Sequence, residues 1–377
     1  MAIEFRYAKL DEYPRISDFL DQHWAKNHVY TRMRDLFDWS FHRPGHWEAD
    51  SYSFALALDG HELVGILGGI PFTLNRYGET SKAIWIVNYV IRADYRKGAT
   101  ALQLLSSFRK PEFSGVLAFG INPATVVIYQ VLRGQVLPEI PRHFLVMPGQ
   151  QKRMARTLKI AYPDWSEDKA MSLVSSFEFS NQPQSVPEIH RAVPSNWDEK
   201  DWPRHAQKTI GAVRDTDYLD WRYASHPVFD YKFISVPEGD RHGLAVWRVE
   251  TIRKQTENGR EDVDRIGRLV EFLPASPSNA EALLAAFISE LRAADAMAAD
   301  FYGYHSDTRA LLQELGFRGA ETSSEGSAIP SRFQPLDGKG GGILSAVFLR
   351  DGGAPGKNDL DCPWYWTKSD SDQDRPN

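Results

Sequence analysis

The sequence has almost no cysteine: Cys362 is the only one in 377 residues. A single thiol excludes a disulfide within the chain and a zinc site built from several cysteines, and it suits a reducing compartment. No apolar run approaches the roughly 18 residues that a membrane-spanning helix needs. The first residues, MAIEFRYAKL, also lack the apolar core of a signal peptide. We therefore expect a cytoplasmic protein without a membrane span.

An excess of positive charge is lacking as well. The chain has 44 Lys and Arg against 50 Asp and Glu, a formal net charge of −6. Proteins that bind nucleic acids or anionic membranes through their overall charge are usually basic, so we expect neither partner. No metal cofactor is predicted either. The hydrophobic content of 42% is ordinary for a globular protein, and the length suggests about two or three domains.

The sequence contains a weak internal repeat. LFDWSFHRP in the first half resembles YLDWRYASHP in the second. Their tryptophans, Trp39 and Trp221, are 182 residues apart (221 − 39). FGINPATVVIYQVLRG likewise resembles YGYHSDTRALLQELGF, and their glycines, Gly120 and Gly303, are 303 − 120 = 183 residues apart. A period this long predicts two similar domains and excludes a solenoid of short repeats.

Apolar patterns predict the same order of elements in each copy. The first copy reads as the strands SFALAL, ELVGILGGIPFTL and AIWIVNYVI, the helix ATALQLLSSF, the strand GVLAFGI and the helix PATVVIYQVL. The second reads as the strands YKFISV, GLAVWRVE and RLVEFL, the helix SNAEALLAAFISELRAA, the strand DFYGY and the helix DTRALLQEL. Strands interleaved with helices predict a layered α/β or α+β domain, present twice.

A short basic turn joins a predicted strand to a helix in VIRADYRKGATALQLL, residues 90–105. The first amides of a helix lack intrahelical partners and carry a partial positive charge, so a helix N-terminus attracts phosphate. Arg96 and Lys97 would strengthen that attraction, and the small residues that follow would let a ligand approach the backbone.

The surrounding pattern, (V/I)xxxYRxxGxG/A between a strand and a helix and then NxxA…Y…G, resembles GNAT-type N-acetyltransferases. It is represented here by Ile91, Tyr95, Arg96, Ala99 and Ala101, and then by Asn122, Ala124, Tyr129 and Gly134. The first loop glycine of the family falls on Ala99, and Gly98 is displaced by one position. Through the repeat, the resemblance extends to a tandem protein of two domains, each a mixed, mostly antiparallel sheet flanked by helices. We expect the domains at 1–150 and 151–350 and a loosely ordered tail at 351–377.

The resemblance implies acetyl-CoA as co-substrate and gives individual residues their roles. The pyrophosphate would lie on the turn formed by Arg96, Lys97, Gly98, Ala99, Thr100 and Ala101. A backbone amide near Val90 or Ile91 would stabilise the thioester oxyanion, Asn122 would cap the following helix and orient the cofactor arm, and Tyr129 would protonate the leaving thiolate. Many relatives place a glutamate on the preceding strand. Here Asn88 stands there instead and is expected to hold a water, while His42, Glu48 and His61 remain alternative candidates for the general base.

The second copy lacks the basic turn, because PASPSNAEALL follows its third strand. We therefore expect one cofactor site, in the first half, with the second domain shaping the acceptor site or holding the first domain. Arg222 is a candidate for binding an acceptor phosphate or carboxylate, or else it pairs structurally with Asp217 or Asp220. The resemblance implies a small-molecule amine as acceptor, with an amino sugar of cell-surface polysaccharide, free or nucleotide-linked, as one example. A Fem-type aminoacyl transferase and a non-catalytic CoA-binding scaffold remain alternatives, and the oligomeric state is not predicted.

Overall fold

The computed structural model describes residues 3–96, 99–181, 187–255, 261–320, 328–334, 336–338, 342–350 and 362–376. The chain forms two compact units, each assembled from separate segments of the sequence. The first comprises Met1–Glu139, Ile343–Pro355 and Ser369–Asn377. The second comprises Ile140–Gly342 and Gly356–Lys368.

The strands, in chain order, are β1 (Glu4–Lys9), β2 (Ser51–Asp59), β3 (Glu62–Arg76), β4 (Glu79–Ile91), β5 (Gly115–Ile121), β6 (Gln135–Leu137), β7 (Arg142–Val146), β8 (Ile210–Ala212), β9 (Lys232–Glu238), β10 (Arg241–Gln255), β11 (Glu261–Leu273), β12 (Ala298–Tyr302), β13 (Arg318–Gly319), β14 (Arg332–Phe333), β15 (Leu336–Asp337) and β16 (Leu344–Leu349).

The α-helices are α1 (Tyr13–His23), α2 (Val29–Arg32), α3 (Arg34–Phe41), α4 (Thr100–Ser106), α5 (Val126–Val131), α6 (Gln151–Ala161), α7 (Glu167–Ser176), α8 (Trp202–Ala206), α9 (Thr216–Leu219), α10 (Pro277–Ala293) and α11 (Ser306–Glu314). Short 3₁₀ helices cover Leu10–Glu12, Ala93–Tyr95 and Pro123–Thr125, and π-helical turns cover Trp197–Asp201 and Asp220–Ala224. In the part of the chain that the structure describes, no helix is long and apolar enough to cross a bilayer.

The sheet of the first unit has the strand order β1-β2-β3-β4-β5-β16-β6. Its pairs are antiparallel except for β4 and β5, which run parallel. The sheet of the second unit has the order β13-β7-β12-β11-β10-β9, again with one parallel pair, β11 and β12. β2 to β5 therefore correspond to β9 to β12. The predicted fold class, two domains with mixed sheets flanked by helices, is confirmed.

The two sheets exchange one strand between the halves of the sequence. β16 comes near the end of the chain, yet it pairs with β5 and β6 in the first sheet. β7 comes from the first half, yet it pairs with β12 and β13 in the second sheet. The division into units therefore differs from the predicted ranges 1–150 and 151–350, since β16 falls inside the second range and belongs to the first unit.

The core of the first unit lies between its sheet and the helices α4 and α5. Leu104 and Leu105 of α4, the nearby Phe108, and Phe348 of β16 belong to one buried apolar cluster. The second sheet buries both of its faces. Residues of α10 pack in one cluster, and residues of α6 and α7 pack in another. Burial of these apolar faces supplies most of the driving force for folding.

The end of the chain is built into the fold as well. Residues 351–361 lie outside the described residues, but Trp364 and Trp366 are fully buried in the second unit, at 1% and 0% exposure. Gln373 donates a hydrogen bond to the Phe119 carbonyl of β5 in the first unit. The expectation of a loosely ordered tail is therefore corrected for residues 362–376, whose contacts lie far away in the sequence.

Candidate functional site

A bulge interrupts β4 in its second half. Ile66 of β3 pairs with Val90, and the next pair along the strands joins Gly68 to Val87. Asn88 and Tyr89 therefore both lie opposite one residue of β3, Leu67. Asn88 has a φ of +50°, in the left-handed region that asparagine tolerates better than most residues. The bulge bends the strand where it leaves β5.

β4 and β5 diverge at the same level of the sheet. Their parallel pairing joins Ala83–Ile86 to Gly115–Ala118 and goes no further among the described residues. A cavity of about 420 Å³ opens beyond this point. Its walls are Ile86–Ile91 of β4, Phe119–Asn122 at the end of β5, and residues of the helical segment that follows.

The cavity brings together seven residues to which the sequence analysis gave a role: Asn88, Val90, Ile91, Arg96, Ala101, Asn122 and Tyr129. Ala99 and Thr100 are not among its lining residues, and Lys97 and Gly98 lie outside the described part of the chain. None of the alternative base candidates His42, Glu48 and His61 lines the cavity.

Tyr129 lies on α5 with its side chain in the core beside the cavity, at 3% exposure. Burial raises its pKa well above the usual range for tyrosine. The hydroxyl therefore keeps its proton at neutral pH and can donate a hydrogen bond, although the raised pKa makes it a weaker acid than an exposed tyrosine. Burial also raises the pKa of Tyr89, and the proximity of Tyr129 adds to that effect.

Asn88 lines the cavity and carries a donor that has no partner among the described residues. Its Nδ2 atom is buried and makes no hydrogen bond to the described residues. Since a buried polar group without a partner is costly, this atom is a natural contact for a polar group of a ligand. An amide cannot act as a base, so the chemistry open to Asn88 is orientation of a ligand or a water.

The amides of β4 are directed by the pairing with β3. The Arg92 amide donates to the Val64 carbonyl at 2.9 Å, toward β3. Successive amides of a strand point to opposite sides, so the Ile91 amide is directed away from β3, toward the side where β5 has diverged. Of the two residues suggested for oxyanion stabilisation, Val90 and Ile91, the geometry favours Ile91.

The turn after β4 is held by both residues of its Tyr-Arg pair. The Tyr95 hydroxyl donates to Asp59 Oδ2 at 2.7 Å, and Arg96 Nε donates to the Ile91 carbonyl at 3.1 Å. α4 then begins at Thr100, and its cap residue Ala99 contributes no side-chain hydrogen bond. The amides of the first helical turn therefore lack a side-chain cap.

Asn122 caps the short helix that leads to α5. Its Oδ1 accepts from the Ala124 amide at 2.9 Å, and its carbonyl accepts from the Thr125 hydroxyl at 2.7 Å. The cap fixes the direction in which the chain leaves β5. It thereby sets where Tyr129 stands along the cavity wall.

Sequence reasoning missed several lining residues. Trp24, at the end of α1, lines the cavity and is half exposed. Asp372, Gln373 and Arg375 line it from the end of the chain. The mixture of aromatics and carboxylates in DCPWYWTKSDSDQD marks this segment as unusual, but no local pattern says where it packs.

The second unit has the corresponding bulge in its own sheet. Val246 pairs with Glu271 and Trp247 with Leu269, so Val270 is the extra residue of β11. β11 and β12 pair only as far as Leu269 and Phe301 in the described chain.

Residues 363–367 fill the gap that follows. Thr367 forms a bridge with Gly303, just after β12. On the β11 side, the Phe272 amide donates to the Tyr365 hydroxyl at 3.0 Å. The Phe272 amide of β11, which faces this gap, is thus already bonded to the Tyr365 hydroxyl of the same chain.

Arg222 is not part of the cavity. It lies in the π-helical turn of the second unit, at 2% exposure, and does not line the cavity. A different arginine, Arg214, makes a fully buried ion pair in this unit, with its Nε 2.7 Å from Glu271 Oε1. Tyr223 also donates to that carboxylate. The sequence offered the arginine of DWRY as a candidate for binding the acceptor or as a structural partner of Asp217 or Asp220, and it is not among the described residues that line the cavity.

Comparison with solved structures shows the fold. Saccharomyces cerevisiae N-myristoyltransferase, in a structure with bound myristoyl-CoA, matches with a TM-score of 0.54 at 13% identity, over 92% of this chain and 82% of that one. A GCN5-related N-acetyltransferase from Anabaena variabilis matches with a TM-score of 0.53 at 12% identity, over 92% and 73% of the two chains. A probable N-acyltransferase of unknown function from Enterococcus faecalis matches with a TM-score of 0.56 at 12% identity, over 92% and 72%. No family model and no curated protein matches the sequence.

Proposed function

We propose that this chain, which has the fold of GNAT-type N-acyltransferases, transfers an acyl group from a CoA thioester to a primary amine, with acetyl-CoA as the donor. The observation that carries the proposal is the cavity at the divergence of β4 and β5, because it joins a free strand edge to the buried hydroxyl of Tyr129. One donor site per chain is proposed, in the first unit.

The pantetheine arm would lie along β4 past Ile86, where that strand has left β5. An extended amide-containing chain can pair there as an added strand does. Asn88, through its Nδ2, and Asn122, which also lines the cavity, are the polar residues proposed to contact the arm. The pyrophosphate is assigned to the turn from Arg96 to Ala101, where Arg96 adds charge beside the first amides of α4.

The reaction forms a C–N bond and breaks the C–S bond of the thioester. As the amine attacks, negative charge develops on the thioester oxygen, and the Ile91 amide is the donor proposed to stabilise it. Collapse of the intermediate expels the CoA thiolate, which takes its proton from Tyr129. An acceptor that arrives as an ammonium ion loses one proton through a water held by Asn88 before it attacks, and the tetrahedral intermediate loses a second proton by the same route. Both protons pass to solvent, and Tyr129 regains its proton from solvent.

The acceptor is proposed to be a primary amine. An amino sugar, free or nucleotide-linked, is the example that the family resemblance suggests, with polysaccharide biosynthesis as its setting. The length of the transferred acyl chain is to be tested at the same site, because one structural neighbour is described with bound myristoyl-CoA. We assign acetyl to this chain on the motif resemblance alone.

Two measurements on the full chain test the proposal. In a thermal-shift titration, acetyl-CoA at about 100 times its dissociation constant should stabilise the protein by about 2.7 kcal/mol. Release of CoA thiol should then be followed with glucosamine and a panel of primary amines, with myristoyl-CoA as the alternative donor. Stabilisation without thiol release in any pairing would favour the non-catalytic CoA-binding scaffold. No stabilisation by either donor would contradict the proposal.

A further inference from the structure

The end of the chain supplies a charged wall to the cavity. Asp372 and Arg375 both line it, and Arg375 Nη1 donates to the Asp372 carboxylate and, at 2.8 Å, to the Asp372 carbonyl. Asp372 is the one carboxylate among the described lining residues, where the other charged groups are Arg375 and Arg96. The described lining thus holds one carboxylate and two guanidinium groups, and the pairing with Arg375 fixes the orientation of the carboxylate.

A second contact seats this wall on the end of β5. Gln373 Nε2 donates to the Phe119 carbonyl at 3.0 Å and to Asp372 Oδ1 at 2.9 Å. Gly120 makes room for it: a Cβ at this position would lie 2.5 Å from Gln373 Nε2, and the φ of +76° disfavours any other residue. The backbone of β5 is thus shaped to receive Gln373, which holds Asp372.

The carboxylate retains capacity for a ligand. Gln373 donates to one oxygen and Arg375 to the other, whereas a carboxylate has about four acceptor positions. Asp372 is buried, at 5% exposure, so water competes weakly for the remaining positions. A charge-assisted hydrogen bond made there is stronger than a neutral one.

We propose that Asp372 is the recognition residue for the acceptor. It binds an N–H of the acceptor's ammonium group and so selects amines that are cationic near neutral pH over neutral analogues. The inference rests on the proposed function, since it assigns the acceptor end of the same cavity. Asp372 is a binding residue in this assignment and carries out no proton transfer.

Binding to the full chain loaded with CoA tests the assignment, with benzylamine as the cationic probe and benzyl alcohol as its neutral analogue. Wild type should prefer benzylamine at least tenfold by ligand-observed NMR titration. Asp372→Asn should lose at least tenfold of this preference with little change in CoA affinity. The asparagine oxygen still accepts from Gln373, but the amide nitrogen that replaces the other oxygen cannot accept from Arg375, so the melting temperature should fall. Asp50→Asn, at an exposed position outside the cavity, is the matched control and should keep the preference.

Two further variants guard against a folding artefact. Asp372→Glu should restore part of the preference, and Gly120→Ala should reduce it by displacing Gln373. An unchanged preference in Asp372→Asn, or none in wild type, would overturn the inference. The CoA titration on the same samples separates the two proposals. If wild type binds CoA but Asp372→Asn leaves the amine preference unchanged, only this inference is removed. If wild type does not bind CoA, the proposed function itself is contradicted.

Discussion

Tyr89 donates a hydrogen bond from its hydroxyl to the Ala101 carbonyl at 2.5 Å. The contact ties the bulged part of β4 to the first turn of α4, the two elements that the proposed donor site uses. Tyr89, which is half-buried, and Tyr129, which is buried, thus place two hydroxyls at one cavity with different surroundings, since Tyr89 already donates to the backbone. This difference leaves Tyr129 as the proton donor in the proposed reaction.

Tyr129→Phe should lower kcat by about 10² to 10⁴, as expected for loss of a general acid. Acetyl-CoA affinity and melting temperature should change little, because the ring remains in place. Tyr89→Phe is the matched control: it removes a hydroxyl from the same cavity but should act mainly on stability, by about 0.5–1.5 kcal/mol, through loss of the hydrogen bond to the Ala101 carbonyl. Steady-state kinetics and urea unfolding separate the two effects. Full turnover in a folded Tyr129→Phe protein would rule out the acid role.

Acetyl-CoA should bind once per chain. The corresponding cleft of the second unit holds residues 363–367, and the Tyr365 hydroxyl takes the Phe272 amide there. Isothermal titration calorimetry should give one site. Two equivalent sites would show that this segment leaves the second cleft and would refute the assignment.

Ala99→Asp should abolish acetyl-CoA binding, because a carboxylate before the first turn of α4 would repel and crowd the pyrophosphate. Arg96→Ala should weaken binding by a smaller factor, since the backbone donors remain. Ala99→Ser, which adds a small neutral side chain, is the control and should bind nearly as wild type does. Calorimetric affinities for the three variants test the order. Equal affinity of Ala99→Asp and wild type would remove the phosphate site from this turn.

The stability of the second unit should depend on pH through His143. Its side chain on β7 is fully buried, and burial, with Arg309 as a lesser cause, lowers its pKa to about 4. The unfolded chain takes up a proton near the ordinary histidine pKa of about 6.5 and the folded chain only near 4. Above about pH 6.5 the histidine is neutral in both states and does not lower the free energy of unfolding. As the pH falls toward 4, only the unfolded chain gains the proton, and the free energy of unfolding falls by up to about 3 kcal/mol.

His143→Gln and His143→Phe should both flatten the pH dependence of the unfolding free energy between pH 4.5 and 7, whatever their effect at neutral pH. Urea unfolding across this range provides the measurement. Carboxylates that titrate below pH 5 act in both variants and in wild type, so the difference between the curves isolates the histidine. If the curves of unfolding free energy against pH run parallel for wild type and both variants, His143 does not cause the pH dependence.

The sequence alone determined the local elements and their order in each half. Apolar periodicity located the strands from SFALAL to GVLAFGI and their counterparts in the second copy, and it placed the basic turn between β4 and α4. Asn122 was recognised as a cap because a side-chain cap acts within three residues of itself. These features depend on neighbours in sequence, and for that reason a single sequence reveals them.

Tertiary structure alone decided which strands close each sheet and what completes the cavity. β7 and β16 are short apolar segments with nearly equal local signals, and only partners more than 150 residues away in sequence determine which sheet receives each. The bulge at Asn88 depends on register with β3, and Asp372 reaches the cavity because Gln373 seats against Gly120. Register and long-range packing are set by complementarity between distant surfaces, which no local pattern in the chain encodes.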